Sequence, residues 1–355
     1  MKRLFIATLV IVAGFSLGGQ AEAANELKVA AWVPYWTNEV GANTAREHIS
    51  FFSELSPFAY EVDGKGRLID RLKKNKKEWD ALYREAQKKK VPIIPAILWT
   101  SSPQMEKILG NSKTRTAHVR TIVALVQSKG FAGIDIDYEG KEVPLKHHFS
   151  AFITELAKEL HKKKKVLVCT IEARAQDDIP VGWDNKKAMS WSNDLTVLNR
   201  ECDQIRVMTY DEQSQAIGKT WTASSTSPHY APNASPEWME KVIIYMTKYI
   251  SPQKFMLGVP TYGWQYSVTP DGNDNRYRFY KSISYTKATT TDWVRDRSGE
   301  MTYTYQTRDR KVFVSLPDAV SIQDRFNLAR KYGLRGVAIF KIDGLEDPKM
   351  WSIVK

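Results

Sequence analysis

The sequence predicts an α/β protein built as a (β/α)8 (TIM) barrel, with a small α+β insertion between strands seven and eight. Three observations predict it. Apolar, β-branched runs alternate with segments of helical period along the chain, the pattern of a parallel sheet covered on its outer face by helices. Eight such runs fit within 355 residues, a length a single barrel domain can occupy. Acids and aromatics recur at the downstream ends of those runs, where barrels of this type gather their chemistry.

Strand one is "KVAAWVPYW" (28–36), ending in Tyr35 and Trp36. Strand two, "LSPFAYEV" (55–62), ends in Tyr60 and Glu61, and strand three, "VPIIPAILW" (91–99), ends in Trp99. Strand four is "GIDIDYE" (133–139), with Asp135, Asp137 and Glu139 at alternate positions. In a strand these three carboxylates share one face, where they repel each other and lose hydration. Strand five, "VLVCTIEA" (166–173), brings Glu172 and, just beyond, Arg174; strand six, "QIRVMTYDE" (204–212), carries Met208, Tyr210 and Asp211. Strand seven, "FMLGVPTYG" (255–263), leads into Tyr262 and Trp264, and strand eight, "GVAIFKID" (336–343), offers Phe340, Lys341 and Asp343. Helical patterns fall between them at Lys76–Lys89, Ala117–Lys129, Leu145–Lys162, Trp238–Tyr249 and Val320–Tyr332. From strand seven to strand eight run roughly seventy residues, where a βα connection needs far fewer. The strand-like pieces "RYRFYKSIS", "MTYTYQT" and "KVFVSL" place the insertion at about 264–318, as one wall of a cleft.

The first 23 residues read as a secretory leader: Lys2 and Arg3, an apolar run from Leu4 to Leu17, and small residues around "AEA". The run is too short for a lasting membrane anchor, and the barrel is expected to occupy 24–355 outside the cytoplasm, secreted or periplasmic. Cys169 and Cys202 could pair in an exported protein. Placed in or beside strands at different heights, they are expected as buried free thiols. The formal charge is +12, which suits anionic polymers such as cell-wall glycans. No zinc-finger, RNP-like or basic-zipper pattern points to nucleic acid, and the lysine runs fit the ends of amphipathic helices. There is no metal-ligand spacing, P-loop or dinucleotide fingerprint, so no cofactor is expected. A monomer without a membrane anchor is expected.

Eleven Trp and sixteen Tyr supply either a large core or a cleft that stacks on sugar rings. Trp36, Trp99 and Trp264 each serve equally well as core or platform. Glu61, Glu172 and Arg174 fit ordinary ion pairs as well as they fit a site. His147 and His148 belong on the helix after strand four.

Three segments carry a specific resemblance. "FAGIDIDYE" resembles the strand-four signature of glycoside hydrolase family 18, D-G-x-D-x-D-x-E after an aromatic residue. "MTYD" (Met208–Asp211) is similar to its strand-six motif, and "GVAIFKID" to its last strand. The likeness covers nearly the whole chain after the leader, and looks nearest to the bacterial wall-lytic and spore-cortex-type branch. It implies a retaining hydrolase that cleaves β-linked N-acetylglucosamine glycans without a protein nucleophile. The substrate's 2-acetamido oxygen would attack the anomeric carbon, with Glu139 as general acid/base. By the same resemblance Asp137 would orient the acetamido group, Asp135 would support Asp137, and Tyr210 would hold the acetamido carbonyl. Tyr35, Trp36, Tyr60, Glu61, Trp99, Met208, Asp211, Tyr262 and Trp264 would contact substrate, and Phe340 would floor the sugar. Peptidoglycan is favoured over chitin; a chitinase or an endo-β-N-acetylglucosaminidase is the alternative, and a catalytically silent glycan-binding lectin the rival from another class. Two departures stand out. Ala132 replaces the pattern's outermost Asp, which implies the loss of a carboxylate beneath Asp135. Phe340 stands where the family usually has Trp.

Overall fold

Prolines and capping residues set the limits of the elements in the computed structural model, which describes residues 26–176, 192–213, 221–224, 229–271, 274–288 and 292–353. The leader-like residues 1–23 lie outside them. The eight apolar runs form β1 (Lys28–Pro34), β2 (Glu54–Val62), β3 (Ala96–Trp99), β4 (Gly133–Tyr138), β5 (Val166–Glu172), β6 (Gln204–Met208), β7 (Phe255–Pro260) and β8 (Gly336–Phe340). Each pairs in parallel with the next, and β8 pairs with β1, so the barrel closes. The third strand begins at Ala96 rather than 91 because Pro92 and Pro95 have no N–H for the ladder; Ile93 makes one isolated bridge to Leu55. β6 stops at Met208, short of the expected 212, and Asp211 has a φ of 58°, outside strand geometry.

Helices α1 (Asn38–Glu47), α2 (Lys76–Lys89), α3 (Ser102–Leu109), α4 (Ser112–Lys129), α5 (Lys146–His161), α6 (Leu195–Glu201), α7 (Pro236–Met246) and α8 (Ala319–Lys331) accompany the barrel strands. Their starts follow local chemistry. The Asn111 side chain accepts from the N–H groups of Lys113 and Thr114 at α4, and Ser235 caps α7 ahead of Pro236. Asp318 and Ser321 form a reciprocal capping box at α8. Gly130 closes α4 at a φ of 68°, a left-handed turn that delivers the chain toward β4.

Between β7 and β8 the expected α+β insertion holds, among the described residues, strands and a single 3-10 turn at Tyr285–Lys287. The strands form a second, antiparallel sheet in the order 294–295, 301–306, 311–316, 262–271, 274–284 and 221–224. It begins at Tyr262 and takes its last strand from the connection after β6. Its anchor is Glu300. This fully buried carboxylate accepts the N–H groups of Asn233 and Ala234, each at 3.0 Å, and the Ser315 hydroxyl at 2.7 Å, with Arg325 at 3.4 Å.

The barrel interior departs from the usual branched aliphatic layers. Gln204, Arg206, Glu54, Ser56, Thr170, Trp32 and Asp135 are all buried there and joined by hydrogen bonds. Alternation sends the neighbouring Cys169 the other way, toward the helices. There it forms a disulfide with Cys202, which corrects the expectation of free thiols. The two are not at different heights: Cys169 is level with Ile205, and the end of α6 brings Cys202 to the same outward face, with Cα atoms 6.1 Å apart.

Candidate functional site

The site rises from the polar core along β4. Asp135, fully buried, accepts from Trp32 Nε1 at 2.9 Å, Thr170 Oγ1 at 2.7 Å and Arg206 Nη1 at 2.9 Å. Burial nonetheless raises its pKa, with Arg206 opposing. One repeat up the strand, Asp137 is 1% exposed, and burial, Glu139 and Asp135 push its pKa well above the ordinary carboxylate range. Its Oδ1 is buried and accepts no hydrogen bond from the described residues. Glu139 stands just past the strand, its N–H donated to the Trp99 carbonyl at 2.8 Å. Burial and the neighbouring Glu172 push Glu139 up to about 7. Asp137 and Glu139 therefore titrate as a pair that readily holds a proton near neutrality. A carboxyl in that state donates a proton as well as it accepts one.

Aromatic rings line the mouth in a continuous arc. Trp36, 45% exposed at the rim, meets Phe58 at 5.5 Å, and Phe58 meets Phe340 at 6.0 Å. Tyr210 stacks on Phe340 at 5.3 Å with 14° between the planes. Tyr262 meets Phe340 at 5.8 Å and Trp264 at 5.5 Å, and Trp264 meets Phe279 at 4.7 Å. Beneath the far end of the arc, Asp211 Oδ1 accepts from the Tyr262 hydroxyl at 2.6 Å and from Trp264 Nε1 at 2.8 Å. Asn233 holds Asp211 in its left-handed conformation by accepting its N–H at 2.7 Å, and donates to the Tyr262 carbonyl at 2.6 Å. At the rim Tyr35 donates to Glu61 at 2.6 Å, and Arg71 pairs with the other oxygen of Glu61. Met208 closes β6 level with Glu172.

Asp135, Asp137, Glu139, Tyr210, Asp211, Tyr262, Trp264 and Phe340 are thus brought together. Tyr60 and Trp99 are not. The pairing of β2 with β3 shifts register between Phe58 and Tyr60, which flips Tyr60 away from the interior. Its ring lies 6.4 Å from Phe131, in the layer between barrel and helices. Trp99, 2% exposed, packs edge-on against Tyr138 at 5.2 Å and beside His118 of α4. Ala132 does not lie beneath Asp135 either. It shares the outward phase of Ile134 and Ile136 and lines a hollow with Tyr83, Pro92 and Ile93. The place beneath Asp135 belongs to Arg206, Trp32 and Thr170.

Several participants are not marked as parts of the site by the sequence motifs: Trp32, Phe58, Arg206, Asn233 and Phe279. A signal existed for some. In "QIRVMTYD" the alternation that aims Met208 inward also aims Arg206 inward, and a charge at an interior strand position demands partners. The others depend on contacts remote in sequence.

A model of the glycosyl hydrolases family 18 matches residues 32–344. The chain is 23% identical over 252 residues to an uncharacterized glycosylase, YvbX, of Bacillus subtilis (strain 168), across 70% of this chain and 68% of that one. Among solved structures it resembles the Bacillus cereus spore cortex-lytic enzyme SleL, with a TM-score of 0.72 at 18% identity over 92% of this chain and 73% of that one. It also resembles a class V chitinase of Pseudomonas fluorescens Pf-5, with a TM-score of 0.75 at 20% identity over 92% and 98% of the two chains.

Proposed function

The chain belongs to the glycosyl hydrolases of family 18, and from that membership we propose that it is an exported, retaining hydrolase of β-linked N-acetylglucosamine glycans, acting on peptidoglycan in preference to chitin. One observation carries the mechanism: a buried Asp137–Glu139 carboxyl pair on one face of β4, in which Asp137 Oδ1 accepts no hydrogen bond from the described residues. A buried carboxylate oxygen without a donor is costly, and a substrate acetamido N–H would satisfy it. In this reading Glu139 protonates the glycosidic oxygen. The acetamido oxygen attacks the anomeric carbon and the leaving sugar departs with Glu139's proton. Asp137, supported by Asp135, steadies the cationic oxazolinium ring. Glu139, now ionised, then takes a proton from water as that water attacks the same carbon, and the β configuration is restored. The Tyr210–Phe340 stack supplies a flat wall for the sugar.

The leader-like N-terminus and the Cys169–Cys202 disulfide favour an oxidising, extracytoplasmic location. The likeness to a spore cortex-lytic enzyme and the +12 charge favour an anionic wall glycan. The likeness to a class V chitinase favours chitin, the second reading. The test is to incubate the protein and its Glu139→Gln variant with purified peptidoglycan and with chitin oligosaccharides, and to identify products by mass spectrometry. Fragments with new N-acetylglucosamine reducing ends, reduced about 10²-fold or more in the variant, are expected. Binding without cleavage by both proteins would mark a lectin, and efficient cleavage of fully deacetylated glycan would refute the acetamido mechanism.

A further inference from the structure

Lys141 is a buried cation two residues beyond the acid of the proposed reaction. Its side chain is 1% exposed. The ammonium donates to the carbonyl of Tyr138, lies 3.5 Å from Glu172 Oε2 and sits 4.9 Å from the centre of the Phe149 ring. Gly140, at a φ of 64°, makes the turn that allows Lys141 to fold back beneath the residue preceding Glu139. Glu172 completes the arrangement from β5. Its Oε1 accepts the Gly140 N–H at 3.2 Å, and its Oε2 accepts from Asn193 Nδ2 at 2.8 Å. The peptide groups on both sides of Glu139 are therefore held by one ion pair, while the N–H of Glu139 is held by Trp99.

Such an arrangement exceeds what holding a loop requires. A loop could be pinned by neutral donors and acceptors without taking an ammonium out of water, which is costly unless the charge is used. We infer that Lys141 and Glu172 are positioning residues that fix the Glu139 carboxyl and set opposing charges beside it. The inference rests on the reading of Glu139 as the acid and deepens it. The charged and titratable groups facing Glu139 are Asp137 from its own strand, Lys141 from the following turn, Glu172 from β5, and Asp211 and Tyr210 from beyond β6. Among these described groups Lys141 is the cation. Glu172 raises and Lys141 lowers the affinity of Glu139 for its proton.

The test is a carbon-13 titration of protein labelled at glutamate carboxyl carbons, with the Glu139 signal assigned by its loss in Glu139→Gln. Lys141→Met should raise the Glu139 midpoint by about one pH unit or more, and Glu172→Gln should lower it comparably. The double variant should fall between them. A brace without an electrostatic role would move both variants alike or neither; midpoints that stay put, or shift in the same direction, overturn the inference. Glu172→Gln keeps the shape of the side chain, so if Lys141→Met does not fold, the direction of the Glu172→Gln shift decides alone. The titration needs no substrate. Opposed shifts in a protein that cuts no N-acetylglucosamine glycan would uphold the pair and refute the proposed reaction, whereas unchanged midpoints in an active enzyme would do the reverse.

Discussion

Replacing Arg206 by methionine removes the guanidinium that joins two buried carboxylates in the barrel core and leaves its shape nearly filled. Arg206 is fully buried and donates to Asp135 at 2.9 Å, Ser56 at 2.6 Å and Glu54 at 2.7 Å, with its guanidinium 5.3 Å from the Trp32 ring. Hydrogen bonds between charged groups contribute about 1.5–3 kcal/mol each, and removing one partner of a buried pair costs about 3–5 kcal/mol. Two carboxylates lose their cation here while keeping the hydrogen bonds from Trp32, Thr170 and Gln204, so the upper part of that range would apply if both stayed ionised. Asp135 has a way out. Burial already raises its pKa and Arg206 is the largest opposing influence, so in the variant Asp135 takes up a proton more easily. The cost is then about 3 kcal/mol near pH 8 and smaller near pH 5, where protonation comes more cheaply. Urea unfolding of the variant and wild type at the two pH values measures it, and glycan cleavage by the variant should fall as the support of Asp137 is lost. A loss under about 1 kcal/mol at pH 8, or one independent of pH, would show that Arg206 does not carry the charge balance of the core.

Cleavage should decline as pH rises through about 7, because the proposed acid, Glu139, must be protonated to act and its pKa is pushed up to about 7; a pH–rate profile flat from 6 to 9 contradicts this. Stability should fall between about pH 4.5 and 7, ahead of that decline. Glu139, Glu212 and Glu346 are each raised to about 7 by burial, so the stability linked to their protons is full below pH 4.5 and is lost through pH 7; an unfolding midpoint higher at pH 8 than at pH 5 would count against it. Replacing both cysteines by serine should cost about 3–4 kcal/mol, from the loop-closure entropy of a 33-residue separation, read by urea unfolding with and without reductant. Trp264→Ala should raise KM severalfold, while Trp99→Phe, altering a ring buried behind β4, should leave KM unchanged; equal effects would mean that the mouth is not where the aromatic arc places it.

The chain's local patterns determined most of the barrel. Eight apolar runs, their alternation with helices, and the acids at every second residue of "GIDIDYE" needed no distant contact to be read, because strand periodicity and the parallel sheet's buried faces are written in neighbouring residues. The same periodicity placed Asp135, Asp137 and Glu139 on one face. What the tertiary structure decided depends on register and on residues far apart in sequence. A shift after Phe58 turned Tyr60 out of the site while Phe58, in phase with Ser56, stayed inside, and a one-residue slip has no signature in composition. The Cys169–Cys202 bond required two elements at the same height. The environment beneath Asp135 was assembled from four different strands, through Trp32, Ser56, Thr170 and Arg206. Sequence alternation states which way a side chain points along its own strand; only the closed barrel determines what it meets there.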